Sequence, residues 1–181
     1  MPESSDADLV GRAQGGDVSA VGELYDRHHL RIFRYVWLHV RDQQVAEDIT
    51  GEVFVRMVTG LSGYRQRGVP FQAWLYRIAH NLTTDHHRRA SLHEMVPLEH
   101  AAELCEPGHN PSTIVERRLG AQQVQQALDT LDPLQREVVV LRFVAGLSLQ
   151  EVGLTLNKTV AAVKSLQRRG LAALRAALSD S

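Results

Sequence analysis

Basic and small polar residues recur along the C-terminal segment LSLQEVGLTLNKTVAAVKSLQRRGLAALRAAL. If residues from about 159 to 178 form a helix, the apolar residues lie within one arc of it and the cationic residues lie on its other sides. Arg makes paired hydrogen bonds to guanine and Lys pairs with phosphate, so such a helix suits a DNA major groove. The alternative is a solvated amphipathic helix. The predicted arc is Val160, Val163, Leu171, Leu174 and Leu178, and the recognition face is Lys164, Ser165, Arg168 and Arg169.

A second polar track lies in FQAWLYRIAHNLTTDHHRR, residues 71–89. Its members recur at i, i+4, i+7 and i+11, so they share one face of a helix. That face suits single-stranded or partly melted nucleic acid, because Arg meets phosphate while Asn or Thr reaches base edges. The alternative is a set of ordinary surface salt bridges. The Arg77 track consists of Arg77, Asn81, Thr84 and Arg88.

The loop before this track, GLSGYRQRGVP (60–70), contains three glycines and a proline. Such a loop lets the backbone approach a base that has been extruded from its stack. Its candidate contact residues are Tyr64, Arg65 and Arg67.

Three carboxylates, Glu47, Asp48 and Glu52, cluster near the start of a predicted helix. Paired carboxylates could serve acid–base or metal chemistry, but no companion nucleophile or second carboxylate motif accompanies them. We interpret them as an acidic face that binds a protein. The alternative is the ordinary preference of acidic residues for helix N-termini.

The nine histidines and the single Cys105 show no spacing typical of a metal site, and a lone cysteine excludes a disulfide framework. No phosphate-cradling glycine loop, nucleophile elbow or Ser/His/Asp set is present either. We therefore expect no enzymatic activity, no cofactor, no metal and no small-molecule substrate. A zinc site around Cys105 is the remaining alternative.

These candidate residues all lie on segments with helical periodicity, and no alternating strand pattern occurs, so the sequence predicts an all-α protein. Apolar spacing together with Asp caps, a proline at one helix start and Gly stops sets the helix bounds. The predicted helices cover about 6–14, 17–40, 43–59, 71–89, 113–130, 133–143, 148–156 and 159–178. In the long second helix the predicted buried stripe is Val21, Leu24, Tyr25, His28, Ile32 and Val36.

The helical pattern fails over 90–112, a stretch with three prolines, four glutamates and no Lys or Arg. The sequence therefore predicts two small helical domains, 1–89 and 113–181, joined by an acidic flexible linker. Residues 56–89 carry six arginines against one acid, and 152–181 carry five cations against one acid. The net charge of −1 thus hides two basic blocks suited to polyanions.

The N-terminal MPESSDADLV is acidic where a secretory signal is basic, and no apolar run is long enough to cross a membrane. We therefore expect a cytoplasmic protein without membrane insertion.

Two stretches together resemble a known family. AEDITGEVFVRM (46–57), followed by 71–89, looks like the second conserved region of extracytoplasmic-function (ECF) sigma factors. LDPLQREVVVLRFVAGLSLQEVGLTLNKTVAAVKSLQRRGLAALR (131–175) looks like their fourth region, in a form similar to actinobacterial members. The resemblance implies a transcription initiation factor with core RNA polymerase and promoter DNA as partners, held in check by an anti-sigma factor.

The resemblance also implies a role for each group of residues. The first domain would bind polymerase and melt the minus-10 element, and the second would read the minus-35 element as duplex. The implied polymerase contacts are Glu47, Asp48, Gly51 and Glu52. The implied minus-10 contacts are Tyr64, Arg65, Arg67, Arg77, His80, Asn81, Thr84 and Arg88. The implied minus-35 contacts are Lys158, Thr159, Lys164, Ser165, Arg168 and Arg169.

The chain departs from the family pattern at two places. Gly51 stands where many members carry Gln within the polymerase-binding motif, which would weaken or alter that contact. Leu166 and Gln167 stand where many members have a basic residue followed by an apolar one, which would change a base contact.

Three other functions remain open on the sequence alone, and one of them is an enzyme with a His/Cys metal site in the linker. An autonomous helix-turn-helix regulator would explain 131–181 but would leave the Arg77 track without a role. A protein-interaction scaffold without a DNA role would make both basic blocks solvated faces.

Overall fold

The computed structural model describes residues 4–92 and 123–179, and every regular element in these two ranges is a helix. The first range, here the first domain, contains four helices: α1 (Asp6–Gln14), α2 (Val18–Val40), α3 (Gln43–Gly60) and α4 (Phe71–Leu92). The second range, the second domain, contains a helical segment at 123–129 followed by α5 (Pro133–Phe143), α6 (Leu149–Leu156) and α7 (Val160–Ser179). The all-α prediction is confirmed.

Side-chain caps begin most of these helices where the sequence predicts a start. Asp17 accepts hydrogen bonds from the backbone N–H groups of Ser19 and Ala20, and Asp42 caps α3 in the same way. Asp132 caps α5, with Pro133 in its first turn. A reciprocal capping box joins Ser148 and Glu151 at the start of α6. Such local signals explain why the predicted bounds agree with the structure to within one or two residues at these starts.

The predicted end of α4 at 89 is wrong, because the helix continues to Leu92 and takes in the first three residues of the predicted linker. No proline or glycine interrupts 90–92, so nothing in the local sequence stops the helix there. The rest of the predicted linker, Cys105 and the first part of the helix predicted over 113–130 lie outside the described residues.

The core of the first domain lies between α2, α3 and α4. Leu24, Ile32 and Val36 are fully buried as predicted, and His28 is buried beside them. The prediction that Tyr25 is buried is wrong: the residue is 41% exposed, and its ring meets the ring of Phe54 on α3 edge-on, with the two centroids 4.7 Å apart. Tyr25 lies at the edge of the α2 stripe, where α3 covers only part of the ring.

The predicted buried side of α7 also differs from the one in the structure. Val163 is buried and Leu174 packs against the core as predicted, but Val160, Leu171 and Leu178 are exposed, and Leu166 and Gly170 face the core instead. A Cβ on Gly170 would lie 2.9 Å from Val139 Cγ2, so the backbone of α7 packs directly onto α5 at this glycine. This close approach determines which side of α7 faces inward.

The two domains contact each other, chiefly through α4 and α6. The Thr155 hydroxyl donates to the carbonyl of Ala73 at 3.3 Å, and the Gln72 amide donates to the carbonyl of Ala145 at 3.2 Å. One face of α4 is therefore occupied by the second domain.

Candidate nucleic-acid interface

The Arg77 track is a continuous exposed face of α4. Arg77, Asn81, Thr84 and Arg88 are all exposed. Arg88 lies 3.5 Å from Asp85, an exposed pair that contributes little stability. Within 4–92 and 123–179, no side chain pairs with Arg77, so the salt-bridge alternative lacks a partner for the first member of the track. The exposed donors remain available to a phosphate backbone.

His80 and Tyr64, two of the implied minus-10 residues, do not join this face. His80 points to the other domain, with its Nδ1 3.1 Å from Glu137 Oε1. Tyr64 is 6% exposed, and its hydroxyl donates to the carbonyl of Val69 at 2.7 Å. The assignment of Tyr64 as a surface contact is therefore corrected: its ring packs against Trp74, because Gly60 leaves room for the indole.

The loop over 61–70 is hydrogen-bonded to α1 on one side and exposed to solvent on another. The Gln14 amide donates to the carbonyls of Leu61 and Tyr64, both at 2.9 Å, which ties α1 to the loop. Arg65 is exposed and donates to the carbonyls of Ser62 and Tyr64, and Arg67 is exposed as well. Gly68 has φ +106°, a backbone conformation that residues other than glycine rarely adopt. The loop thus presents two arginines beside the start of α4.

The recognition face lies on the outside of α7. Lys164, Arg168 and Arg169 are exposed, and Ser165 is half-buried. Asn157 ends α6 in the left-handed conformation at φ 54°, and Thr159 then caps α7 by accepting from the N–H of Ala162. This tight turn exposes Lys158 and Thr159 next to the N-terminus of α7. The arrangement is that of a helix-turn-helix whose second helix presents cations.

Leu166 and Gln167 have structural roles here, which corrects the expectation that they occupy a base-contact position. Leu166 is 7% exposed and belongs to the core. Gln167 is half-buried, and its side-chain oxygen accepts a hydrogen bond from Arg142 Nε at 2.9 Å. Both residues therefore face the inside of the second domain.

The acidic face lies on α3, opposite its buried side. Glu47 and Asp48 are exposed, and Glu52 is half-buried and pairs with Arg56 at 2.7 Å. Gly51 is exposed between them, and a Cβ there would meet nothing within 4 Å. A larger side chain would fit at 51, so the absence of one is not required by packing.

A buried polar group that sequence reasoning missed joins the domains. We call it the Glu137 cluster: Glu137 of α5 with Tyr35 and His39 of α2 and His80 of α4. The Tyr35 hydroxyl donates to Glu137 Oε1 at 2.5 Å, and His39 Nε2 lies 2.6 Å from Oε2. Glu137 shares an apolar stripe with Val138 and Leu141, and a carboxylate on such a stripe is the sequence signal that could have revealed the cluster.

The cluster keeps a charge inside the protein. Burial by itself raises the pKa of Glu137, but the hydrogen bonds from His39 and His80 outweigh it, so the pKa lies well below its ordinary value. Burial raises the pKa of Tyr35 far above its usual range, and the Glu137 carboxylate adds to this effect. Tyr35 therefore remains a neutral donor to an ionised carboxylate.

Two remaining expectations concern metals and membranes. Over 4–92 and 123–179, no group of three or more His, Cys, Asp or Glu residues is arranged to hold a metal ion. In the same ranges no helix is both long and apolar enough to cross a membrane.

Comparison with known proteins gives a consistent result for both domains. The family described as Sigma-70 region 2 matches residues 24–92, and that described as Sigma-70, region 4 matches residues 127–176. The structure of CnrH in complex with the cytosolic domain of CnrY has a TM-score of 0.76 and 26% identity, covering 98% of this chain and 99% of CnrH.

Curated relatives carry the same assignment. The chain is 34% identical to the ECF RNA polymerase sigma factor BldN of Streptomyces coelicolor over 96% of its length, and it spans 66% of BldN. It is 32% identical to the ECF RNA polymerase sigma factor SigD of Mycobacterium tuberculosis, over 92% of this chain and 81% of SigD. The resemblance found in the motifs is confirmed, and the chain belongs to the family of ECF RNA polymerase sigma factors.

Proposed function

We propose that this chain binds core RNA polymerase in the cytoplasm and directs it to promoters with defined minus-10 and minus-35 elements, without catalysing a reaction itself. The observation that carries the proposal is the pair of exposed basic faces, the Arg77 track and the recognition face, on two domains that match sigma regions 2 and 4. An autonomous regulator would need only the second face. The match at 24–92 therefore favours the sigma-factor function.

Each surface has a distinct part in this proposal. The Arg77 track, with Arg65 and Arg67 beside it, holds the melted minus-10 strand, because exposed cations and small polar groups suit an unpaired strand. The recognition face enters the major groove at the minus-35 element, and Lys158 and Thr159 contact the sugar–phosphate backbone of the DNA beside it. The acidic face around Asp48 binds polymerase, where Gly51 contributes no side chain.

A protein that restrains the factor is part of the same proposal. CnrH, which this chain resembles in fold, was solved with the cytosolic domain of CnrY bound to it. We extend a bound protein partner to this chain and assign it to the anti-sigma class, as the resemblance to ECF sigma factors implies. Co-purification of a protein that blocks transcription by this factor would support the extension.

Run-off transcription from a library of genomic fragments tests the main proposal. Purified bacterial core polymerase is assayed with this protein, without it, and with an Arg168→Ala/Arg169→Ala variant. Discrete start sites that require the protein and weaken in the variant support the proposal. A protein that neither binds core nor yields transcripts, yet binds duplex sites by itself, contradicts it and favours the autonomous regulator.

A further inference from the structure

One amide side chain at the end of α1 binds the loop over 61–70. The Gln14 side-chain nitrogen donates to the carbonyl oxygens of Leu61 and Tyr64, and both distances are 2.9 Å. A primary amide nitrogen carries two N–H groups, so Gln14 uses both of them on this loop. Leu61 is the C-terminal cap of α3, and carbonyl groups at the end of a helix have no partners inside it. Gln14 therefore supplies donors from another helix to carbonyl groups at and beyond the end of α3.

The helix that carries this amide is itself firmly attached to the first domain. Leu9 is fully buried, and Val10 is buried beside it. At the start of α1, Asp6 accepts a hydrogen bond from Arg27 at 2.7 Å and lies 2.9 Å from His28 Nε2. Because α1 is fixed by its core residues and by these contacts with α2, hydrogen bonds from its last residue limit where the loop can lie.

The inner side of the loop is fixed by the side chain of Tyr64. Its ring packs against those of Trp74 and Phe71 on α4, with centroid distances of 4.8 and 5.9 Å. Its hydroxyl donates to the carbonyl of Val69 at 2.7 Å, which joins the first half of the loop to the second. Because the ring and the carbonyl belong to one residue, a shift of the Tyr64 carbonyl also moves the ring against Trp74.

The same carbonyl also binds a cation on the outer side of the loop. Arg65 Nη1 donates to the carbonyl of Tyr64 at 3.2 Å and to that of Ser62 at 3.0 Å, and Arg65 remains exposed. A guanidinium group carries five N–H donors, so these contacts leave others for phosphate. Gln14 and Arg65 thus donate to one oxygen, the first from α1 and the second from the loop. The peptide that Gln14 fixes is therefore the one against which Arg65 lies.

We propose that Gln14 is a positioning residue for the minus-10 contact, and that it keeps the loop over 61–70 and its Arg65 in the arrangement that binds the melted strand. This inference rests on the proposed function. A loop that is already ordered loses less conformational entropy on binding, so more of its contact energy stabilises the complex with DNA. Gln14 acts through the backbone of the loop, because both of its N–H groups are used on carbonyl oxygens.

Tryptophan fluorescence of the free protein tests whether Gln14 fixes the loop. The chain has two tryptophans, so Trp37→Phe leaves Trp74 as the only one. In that background, Gln14→Glu keeps the size of the side chain but places an acceptor against two carbonyl oxygens. It should raise the quenching of Trp74 by acrylamide, because Tyr64 moves away from the indole. Gln126→Glu makes the same chemical change at an exposed site of the second domain and should leave quenching unchanged.

Gln14→Lys separates the loss of donors from general loosening of α1. An ammonium group has three N–H donors on a flexible stem, so it can donate to both carbonyl oxygens. Quenching in Gln14→Lys should return to the level seen with the native residue, while circular dichroism checks that the helices remain in every variant. Equal quenching in Gln14→Glu and Gln126→Glu would overturn the proposal. Quenching in Gln14→Lys as high as in Gln14→Glu would also overturn it, since donors would then not be what fixes the loop.

Promoter opening by the holoenzyme tests the consequence for DNA. Opening, followed by permanganate reactivity, should be about tenfold slower with Gln14→Glu, as the loss of one or two hydrogen bonds predicts, and Gln14→Lys should restore it. Closed binding should stay at the native level, as should both steps in Gln126→Glu. Native opening by Gln14→Glu, or an equal loss in both steps, overturns the role in the minus-10 contact. Absence of transcripts with the native protein contradicts the proposed function, whereas quenching in the free chain still decides whether Gln14 fixes the loop.

Discussion

The two basic faces of this protein lie on helices with different surroundings. The Arg77 track shares α4 with the contact to the second domain, because Ala73 and His80 on another side of the same helix face α6 and α5. The recognition face lies on α7, and the hydrogen bonds that join the domains come instead from the segment 123–129, from α5 and α6, and from Ala145. The contact between the domains therefore involves the same helix as the Arg77 track and, in these hydrogen bonds, other elements than the helix of the recognition face.

The largest expected effect separates the two faces in function. Arg168→Ala should weaken closed promoter binding by about 10- to 100-fold, as the loss of one good base contact does. Arg77→Ala should leave closed binding nearly intact and slow promoter opening. Mobility shifts in the cold measure the first step, and permanganate reactivity of unpaired thymines measures the second.

Arg89→Ala is the matched control for that pair, since Arg89 is an exposed arginine on α4 outside the track. It should affect neither step. If Arg77→Ala and Arg168→Ala impair both steps equally, the division of labour between the faces is wrong.

The next prediction compares the change in stability when a glycine in each domain is replaced by alanine. A Cβ on Gly153 would lie 2.7 Å from the carbonyl oxygen of Lys158, whereas one on Gly51 would meet nothing. Gly153→Ala should therefore cost about 1–3 kcal/mol and displace the turn that presents Lys158. Gly51→Ala should stabilise the protein by about 0.5–1 kcal/mol, since Gly is a poor helix former.

Urea denaturation followed by circular dichroism measures both changes in the free energy of unfolding. Equal stabilities for Gly153→Ala and the native sequence would mean that the α6–α7 turn relaxes without cost.

A smaller effect compares two buried tyrosines of the first domain. Tyr35→Phe removes a donor to the Glu137 carboxylate and should cost about 1–2 kcal/mol. The Tyr76 hydroxyl is buried and has no hydrogen-bond partner in the described ranges. Tyr76→Phe should therefore be neutral or slightly stabilising. Thermal unfolding of the two variants side by side makes the comparison, and a larger loss for Tyr76→Phe would contradict it.

The smallest effect concerns the attachment of α1 to the first domain. The hydrogen bond from His28 lowers the pKa of Asp6; partial burial opposes this, and Arg27 adds to it. The ionised carboxylate therefore stabilises the fold above the ordinary pKa of Asp, and this contribution is lost as pH falls through the lowered value. Asp6→Asn should remove less than about 1 kcal/mol at neutral pH, because the site is partly open to solvent.

Free energies of unfolding measured from about pH 6 down to about pH 3 test this prediction. The acid-dependent loss should be smaller in Asp6→Asn than in the native protein. Asp26→Asn changes an exposed acid on the next helix and should leave the curve as it is.

The starts of these helices were predictable from the sequence because they depend on local signals. Asp42, Asp132 and Ser148 cap their own helices through bonds to backbone groups two or three residues away. The exposed members of the Arg77 track and the recognition face were predictable for a similar reason, since helical spacing alone places them on one side. The family itself followed from motifs that occupy most of both domains.

Contacts between helices that are distant in the chain could not be predicted from such local signals. The burial of Tyr64 depends on Gly60 and Trp74 meeting across the start of α4, and the inward side of α7 depends on Gly170 meeting Val139. The Glu137 cluster joins residues about 100 positions apart in the chain, so no local pattern contains it. The sequence alone determined the helices, their caps and their charged faces, because these arise from neighbouring residues. The tertiary structure alone decided which face of α4 and α7 is covered and how the domains close, because side chains from distant segments compete for the same buried space.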